Sequence, residues 1–536
     1  MKHTLFIISI SIVFISCGGN STSTPEIDMN INDCSVKKIN FIGNIKFKTM
    51  QNNKDEYIVF TNTTNKKYNF NLISNGLNKN LDLYKEKKNL LKKEESLKNK
   101  IMNFNHKVPI VKKNKINKST YLKTDDIGNN EIFYLEKDLS SSTRATLKKI
   151  VKNITTKYGE KTLNIWVSND SFGKECIKTY CIKDEMIDDL VNNFLKRGED
   201  NDIYDWVSNI FGEEWGKTTN SALIDNNNEI TILLTDINND NSVIGGTLGY
   251  FYAKDNYKKS IYKGSNEKVM FYIDSVLFAS YYGKDEWNIE NYQQKKVLST
   301  LAHELEHMIH FYQKNVLQRN GGLDSWIDEM LAVSTEDIVA TKLKTKGLRE
   351  VSYLRGDAGD DYNQYGKFPI FNKNINQTLS KWNGKKEDYA MVSSFGSYLI
   401  RNYGGAQLLH DILYNRYTDE RAIVYATNKS ANGKDKDFNT LIQDWGIAVL
   451  LSSQTDLDVD GGYLYNLGDF LETEYNGINY SLGSIDFFNY YERPKIVTSL
   501  NSIEPKSNLY YKIPKDINQT INIKIDKNIK VAFVKK

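Results

Sequence analysis

The spacing of apolar residues changes several times along this chain, and each change marks an element. The first is an unbroken apolar run, Leu5 to Ile15, behind Lys2 and His3. It is too short to span a bilayer and has the form of a signal-peptide core. Ile39-Asn-Phe-Ile42, Ile45-Lys-Phe-Lys48 and Tyr57-Ile-Val-Phe60 alternate or run apolar between Asn-rich turns, and read as strands of a small β module. Residues 81 to 101 are rich in Lys and Glu, with Leu83, Leu90 and Leu97 at heptad spacing, which predicts a short helix packing one stripe. Residues 103 to 130 are polar and basic and read as a linker.

From Ser141 the periods alternate. Thr143 to Lys157 reads as a helix, Leu163 to Val167 as a strand and Asp184 to Lys196 as a helix. Ile230–Leu234 and Val269–Ile273 read as strands, and the strand ending at Asp274 suits an edge that holds an extended peptide. Residues 290 to 313 form the next helix; another starts at Ser325, with Ser325 as N-cap and Asp328 as capping-box partner. Asp388 to Gly404 is helical in pattern, and residues 475 to 534 return to a β pattern. The order predicts an α+β fold: a mixed sheet with one central helix, then a mainly helical lobe, with small β-rich modules at both ends. The boundaries fall at 1–16 (signal peptide), 17–33 (tether), 34–140 (N-terminal module with its Lys-rich helix and linker), 141–455 (central domain) and 456–536 (C-terminal module).

Composition narrows this picture. The chain has 536 residues, 40% hydrophobic and 26% charged, as a globular protein of two or three domains would. A net charge of +4, not concentrated beyond one short run, excludes a dedicated nucleic-acid binder. The leader ends Ser16-Cys17-Gly18-Gly19, a small residue before Cys and then a Ser/Thr-rich stretch, and so looks like a bacterial lipoprotein cleavage and lipidation site. Phe14 stands where such sites usually carry Leu. Acyl chains on Cys17 would anchor the protein in a membrane at about 0.8 kcal/mol per buried methylene. That places it at the cell envelope, facing outside the cytoplasm; an ordinary secreted signal peptide is the other reading. Of the remaining cysteines, Cys176 and Cys181 can pair across a short loop, leaving Cys34 odd.

The chemistry is concentrated in Leu301-Ala-His-Glu-Leu-Glu-His-Met-Ile-His310. The chain has six histidines, and three of them lie in this stretch. A helix advances about 100° per residue, so His303 and His307 lie about 40° apart on successive turns and both rings can reach one metal ion. Glu304 lies about 60° round from His307, close enough to hold a water without binding the metal. Leu298, Leu301, Leu305, Met308 and Ile309 mark the opposite, core-facing side. A catalytic zinc takes three protein ligands, so a third must come from nearby. Glu329, among Trp326, Ile327, Met330 and Leu331, is a carboxylate in an apolar setting that needs a partner. His310 shares the face of His303 but lies one turn beyond His307, and reads as a cleft-lining residue.

His-Glu-x-x-His-Met-Ile, about twenty residues, then Trp326-x-x-Glu329-Met-Leu-Ala332 resembles the hyicolysin family of bacterial zinc metallopeptidases, of the gluzincin type. Upstream blocks follow in a similar order: Ala145-Thr-Leu147, Asn164-Ile-Trp-Val167, Ile232-Leu-Leu-Thr-Asp236, Gly249-Tyr-Phe251, Ser265-Asn266 and Tyr272-Ile-Asp274. The resemblance spans roughly residues 140 to 415. It implies a zincin-like domain with zinc held by His303, His307 and Glu329, and Glu304 as the general base that activates a zinc-bound water. It also implies a Tyr or His from the helical lobe that polarises the scissile carbonyl; Tyr389 matches best by position, with His410 as a rival. Thermolysin-like members place an Asp four residues after the Glu ligand to orient a zinc His; here that position is Val333, and Glu336 lies further along the same side.

Asp456, Asp458 and Asp460 alternate and are followed by Gly461, like the first half of a calcium loop, but Leu467 falls where the closing Glu belongs. Calcium binding and a polar surface turn both stay open. Asp236 to Asp240 is a weaker run of the same kind. The expectation is a zinc-dependent endopeptidase acting on protein or peptide substrates at the cell envelope. The alternative is a surface-binding lipoprotein, of adhesin type, whose zinc site is structural or vestigial.

Overall fold

The computed structural model describes residues 36–39, 43–47, 55–70, 97–106, 126–198, 200–225, 228–346, 364–455, 462–513 and 521–536. Cys17 and Cys34, the signal peptide, Leu83 and Leu90 of the heptad stripe, most of the basic linker, and Asp456, Asp458 and Asp460 lie outside the described residues.

In chain order the first elements are β1 (Val36–Ile39), β2 (Gly43–Phe47), β3 (Glu56–Asn62), β4 (Tyr68–Asn69) and α1 (Leu97–Asn105). Then come β5 (Asn130–Tyr134), β6 (Ser142–Thr156), β7 (Gly159–Ser168), α2 (Asp184–Phe194), α3 (Ile203–Phe211), β8 (Glu229–Thr235), β9 (Gly249–Phe251) and β10 (Met270–Asp274). The helical half holds α4 (Ser275–Ala279), α5 (Tyr292–His310), α6 (Ser325–Val339), α7 (Lys367–Lys373), α8 (Lys386–Asn402), α9 (Gly405–Tyr414), α10 (Glu420–Thr427) and α11 (Phe438–Leu451). The chain closes with β11 (Leu471–Tyr475), β12 (Ile478–Leu482), β13 (Ile496–Val497), β14 (Ser502–Ile503), β15 (Ser507–Lys512), β16 (Ile521–Ile525) and β17 (Ile529–Lys535). No helix among the described residues is long and apolar enough to cross a membrane.

The central sheet has the order β5-β6-β7-β8-β10-β9. The pairs β7/β8 and β8/β10 are parallel and the rest antiparallel. Ile230 to Leu234 and Met270 to Ile273 are buried on both faces, which explains their unbroken apolar runs. The strand ending at Asp274 is therefore interior; the edge is β9, three residues antiparallel to it. The sheet also begins earlier than residue 141, because β5 pairs with β6.

The predicted helix over 143–157 is the strand β6. Its pairing with β7 slips twice, between Leu147 and Lys149 and between Val151 and Ile154. Each bulge breaks the period of two. The result places Leu147, Ile150, Val151 and Ile154 at spacings of three and four, imitating a helical face. The β-branched content of Thr143, Thr146, Ile150, Val151, Ile154, Thr155 and Thr156 was the signal for a strand.

At the far side, β1-β17-β3-β15-β13 form one five-stranded sheet. The β-rich segments at the two ends of the chain therefore share strands. β3, between β17 and β15, is the middle of the sheet, with Ile58, Val59 and Phe60 fully buried. Helix α11 packs beneath, and its buried Asp444 pairs with Lys38 and Lys436. Cys176 and Cys181 form a disulfide with Cα atoms 6.0 Å apart. Within that loop Lys178 Nζ donates to Asp236 Oδ2 and Asn239 Oδ1, both at 2.8 Å, and lies 3.1 Å from Asp170 Oδ2. An ammonium group thus binds one side-chain oxygen each of Asp236 and Asn239 in the 236–240 run.

Candidate metal centre

Helix α5 is buried on both sides. Leu298, Leu301, Leu305, Met308 and Ile309 are fully buried in the core, and His303, Glu304, His307 and His310 lie on the other side. The helix runs on into a π-helical turn, Phe311–Leu317. Such wide turns often stand next to functional sites. Helix α6 crosses α5 and presents Glu329 from its first turns.

Three atoms converge between these helices. His303 Nε2 and His307 Nε2 are 3.2 Å apart, and Glu329 Oε2 lies 3.3 Å and 3.9 Å from them. Ligand atoms about 2.0–2.1 Å from a tetrahedral ion would be about 3.3 Å from one another. Glu329 Oε2 is buried and makes no hydrogen bond. A buried carboxylate oxygen without a partner, facing two imidazole nitrogens at that spacing, fits a divalent cation. The three residues also form one of the groups whose ligand atoms lie within 4.8 Å of one another.

The outer nitrogens are tied down. His303 Nδ1 donates to Glu336 Oε1 at 2.8 Å and His307 Nδ1 to Asp328 Oδ1 at 3.0 Å. With Nδ1 protonated, each ring turns its Nε2 lone pair inward. Glu336 is in turn bound by Lys367 Nζ at 3.1 and 3.2 Å. The sequence pattern left the orienting carboxylate unplaced at Val333; the helix supplies it at Glu336, two turns beyond Glu329 and on its side. Asp328 was expected to close a capping box. Instead Asp324 occupies the N-cap position and Ser325 opens α6, with no side-chain cap bond. Asp328 faces inward, 2.5 Å from His310 Nδ1 as well as 3.0 Å from His307. His106 Nε2, at the end of α1, lies 3.2 Å from the other oxygen of Asp328. His310 is therefore a neighbour of the orienting Asp and not a third ligand. No local pattern marked Asp328, because its partners lie 18 to 222 residues away; only its place one residue before Glu329 hinted at it.

The electrostatics agree. Burial lowers the pKa of His303, but Glu329 and Glu336 outweigh this and raise it to about 10. Burial raises Glu336, but Lys367 and His303 hold it at about 2. In the same way Asp328 is held well below the carboxylate range by His310 and His307, against burial. A divalent ion there would compete with protons for the two imidazoles.

Glu304 Oε2 accepts the backbone N–H of Phe251 at 2.8 Å, which fixes the carboxylate against β9. Tyr389, from α8, donates its hydroxyl to Glu329 Oε1 at 3.0 Å. Burial, together with Glu329, raises its pKa well above 10, so the phenol stays protonated. His410 is far from the centre: its Nδ1 bonds to the carbonyl of Ile210 and its ring stacks on Tyr414. Beside the centre a cleft of about 690 Å³ opens, lined by the Gly245–Gly246 loop, Tyr281, Tyr365, His303, Glu304 and Tyr389.

Residues 28% identical over a 284-residue alignment are shared with the neutral metalloprotease ShpI of Staphylococcus hyicus. The alignment covers 52% of this chain and 54% of that protein, so the match spans about half of the curated relative's length. The family model of peptidase M30 matches residues 140–459, which contain both α5 and α6, and the chain belongs to the peptidase M30 family.

Proposed function

We propose that the protein is a zinc-dependent endopeptidase. The observation that carries this reading is the convergence of His303 Nε2, His307 Nε2 and the unpartnered Glu329 Oε2 beside Glu304. Those three residues would hold the zinc. Zinc bound there supplies Lewis acidity, polarising the scissile carbonyl and bringing the pKa of water toward about 7.

The chain's own groups do the rest. Glu304, anchored by the Phe251 N–H, takes the proton of the attacking water and delivers it to the leaving amine. Tyr389 stands at the mouth of the centre as a permanently protonated donor, placed to turn from Glu329 toward the developing oxyanion. Asp328 and Glu336 fix the imidazoles so that neither ring turns during turnover. The edge strand β9 is where an extended substrate would pair with the sheet. The leader sequence and Cys17, with the disulfide between Cys176 and Cys181, support an envelope location with a lipid anchor.

Purified protein incubated with an unfolded protein substrate should cleave it. A zinc chelator should stop cleavage and added zinc restore it. Cleavage indifferent to the chelator, or a zinc-loaded protein that never cleaves, would favour the surface-binding alternative.

A further inference from the structure

The edge of β9 that should receive substrate is already in use. Among the backbone groups at that edge, Phe251 N–H, Phe251 C=O and Ala253 N–H are all engaged. Glu304 takes the first. Asn105, at the end of α1, takes the other two: its Nδ2 donates to Phe251 O at 3.0 Å and its Oδ1 accepts from Ala253 N at 2.8 Å. The C=O of one residue and the N–H two residues on are the pair an added strand engages. A side-chain amide offers the same donor and acceptor as a peptide group. Asn105 therefore stands where one residue of a bound strand would present its N–H and C=O.

The rest of α1 spans the cleft. At its start, Lys98 Nζ lies 3.5 Å from the Tyr389 hydroxyl, and Asn99 Nδ2 donates to Asn383 O at 2.8 Å, beside α8. In its middle, Ile101 and Met102 are buried. Phe104 meets Tyr252, Tyr257 and Tyr262 edge to face. At its end, Asn315 Nδ2 donates to Asn105 O at 2.6 Å, and His106 reaches Asp328. Lys98, Ile101, Met102 and Asn105 help line a pocket of about 30 Å³ beside His303, His307, Glu304 and Glu329. That holds a water or two and no residue of a substrate. The adjoining cleft, which shares Lys98, His303, Glu304 and Tyr389 with it, has about 690 Å³. An endopeptidase must thread its substrate past the metal on both sides. The family match begins at residue 140, so α1 comes from outside the part of the chain that the family defines.

We propose that α1 is an autoinhibitory segment: it occupies the substrate edge of β9 through Asn105, narrows one side of the centre, and holds the internal cutting of a polypeptide to a low basal rate until it moves away. The proposal rests on the peptide-cleaving reading above, and its test separates the two.

The zinc-loaded full chain is compared with Asn105→Ala and, separately, Met102→Asp, each checked for zinc content and melting temperature. Two readouts are taken: kcat/KM on a ten-residue quenched fluorogenic peptide, and affinity for a dipeptide hydroxamate, which needs the edge but no turnover. Both variants should gain at least tenfold in kcat/KM, mostly through KM, and at least tenfold in hydroxamate affinity. The Ala253 amide should also exchange faster with deuterium in Asn105→Ala. Tighter hydroxamate binding with no hydrolysis by any form would keep α1 as the occupant and remove the peptidase reading. Hydrolysis and hydroxamate binding that are unchanged or weaker in both variants would overturn the proposal, making α1 a working wall of the site.

Discussion

Two sets of residues meet at the centre, and they reach it by opposite routes. His303, Glu304, His307, Asp328, Glu329 and Glu336 come from two consecutive helices, α5 and α6, and their geometry follows from helical spacing. Lys98 and Asn105 come from α1 and His106 directly follows it, some two hundred residues earlier, and they arrive only because α1 lies across β9 and α8. The end sheet is a second case of the later kind, joining β3 to β15 and β17 across the whole chain. The difference teaches that chemistry packed into one helical hairpin is built in by the local sequence, while what covers or supports it depends on distant packing and can be altered separately.

The largest effect that sharpens this comparison lies in the end sheet. Phe60 is fully buried in its middle strand. Phe60→Ala should cost about 3–5 kcal/mol of stability by urea unfolding, while the folded fraction still binds one zinc. Loss of zinc binding from protein that remains folded would mean the two regions are not separable.

Next come the carboxylates that orient the imidazoles. Asp328→Ala and Glu336→Ala should each weaken zinc about 10- to 100-fold, measured by competition with a chromogenic chelator. Asp328→Ala should also free His106, and so loosen α1, whereas Glu336→Ala should not. Identical exchange behaviour of α1 in the two variants would break that distinction.

The smallest effect concerns pH in the metal-free protein. Glu336 has its pKa lowered from 4.5 to about 2, so its contribution to stability is complete above pH 4.5 and is lost as pH falls toward 2. His303 has its pKa raised from 6.5 to about 10, so its contribution is complete below pH 6.5 and is lost as pH rises toward 10. As far as this pair decides, metal-free protein should melt highest between those limits, and Glu336→Gln should flatten the acid limb. A melting temperature that falls just as steeply on acidification in Glu336→Gln would contradict the pairing.

The sequence disclosed what short-range geometry can carry. The spacing of His303 and His307 placed both rings on one face, and the isolated carboxylate of Glu329 announced a need for a partner. The apolar runs of β8 and β10 were legible because both faces are buried. Elsewhere the periods misled. The bulges of β6 turned a strand into a helical pattern. A three-residue edge strand, β9, has no period to read. Asp328 looked like a cap because its histidine partners are invisible along the chain, and Asn105 carried no signal at all. The joining of the chain's ends depends on pairings some 450 residues apart, which no window of sequence contains.

The central claim is that His303, His307 and Glu329 hold a zinc beside a general base, Glu304. It is tested most directly by Glu304→Gln, assayed with the wild type on the same unfolded protein substrate at measured zinc content. The account predicts one zinc per chain in both and at least a ~10³-fold loss of cleavage in the variant. Wild-type cleavage by a zinc-loaded Glu304→Gln would contradict it.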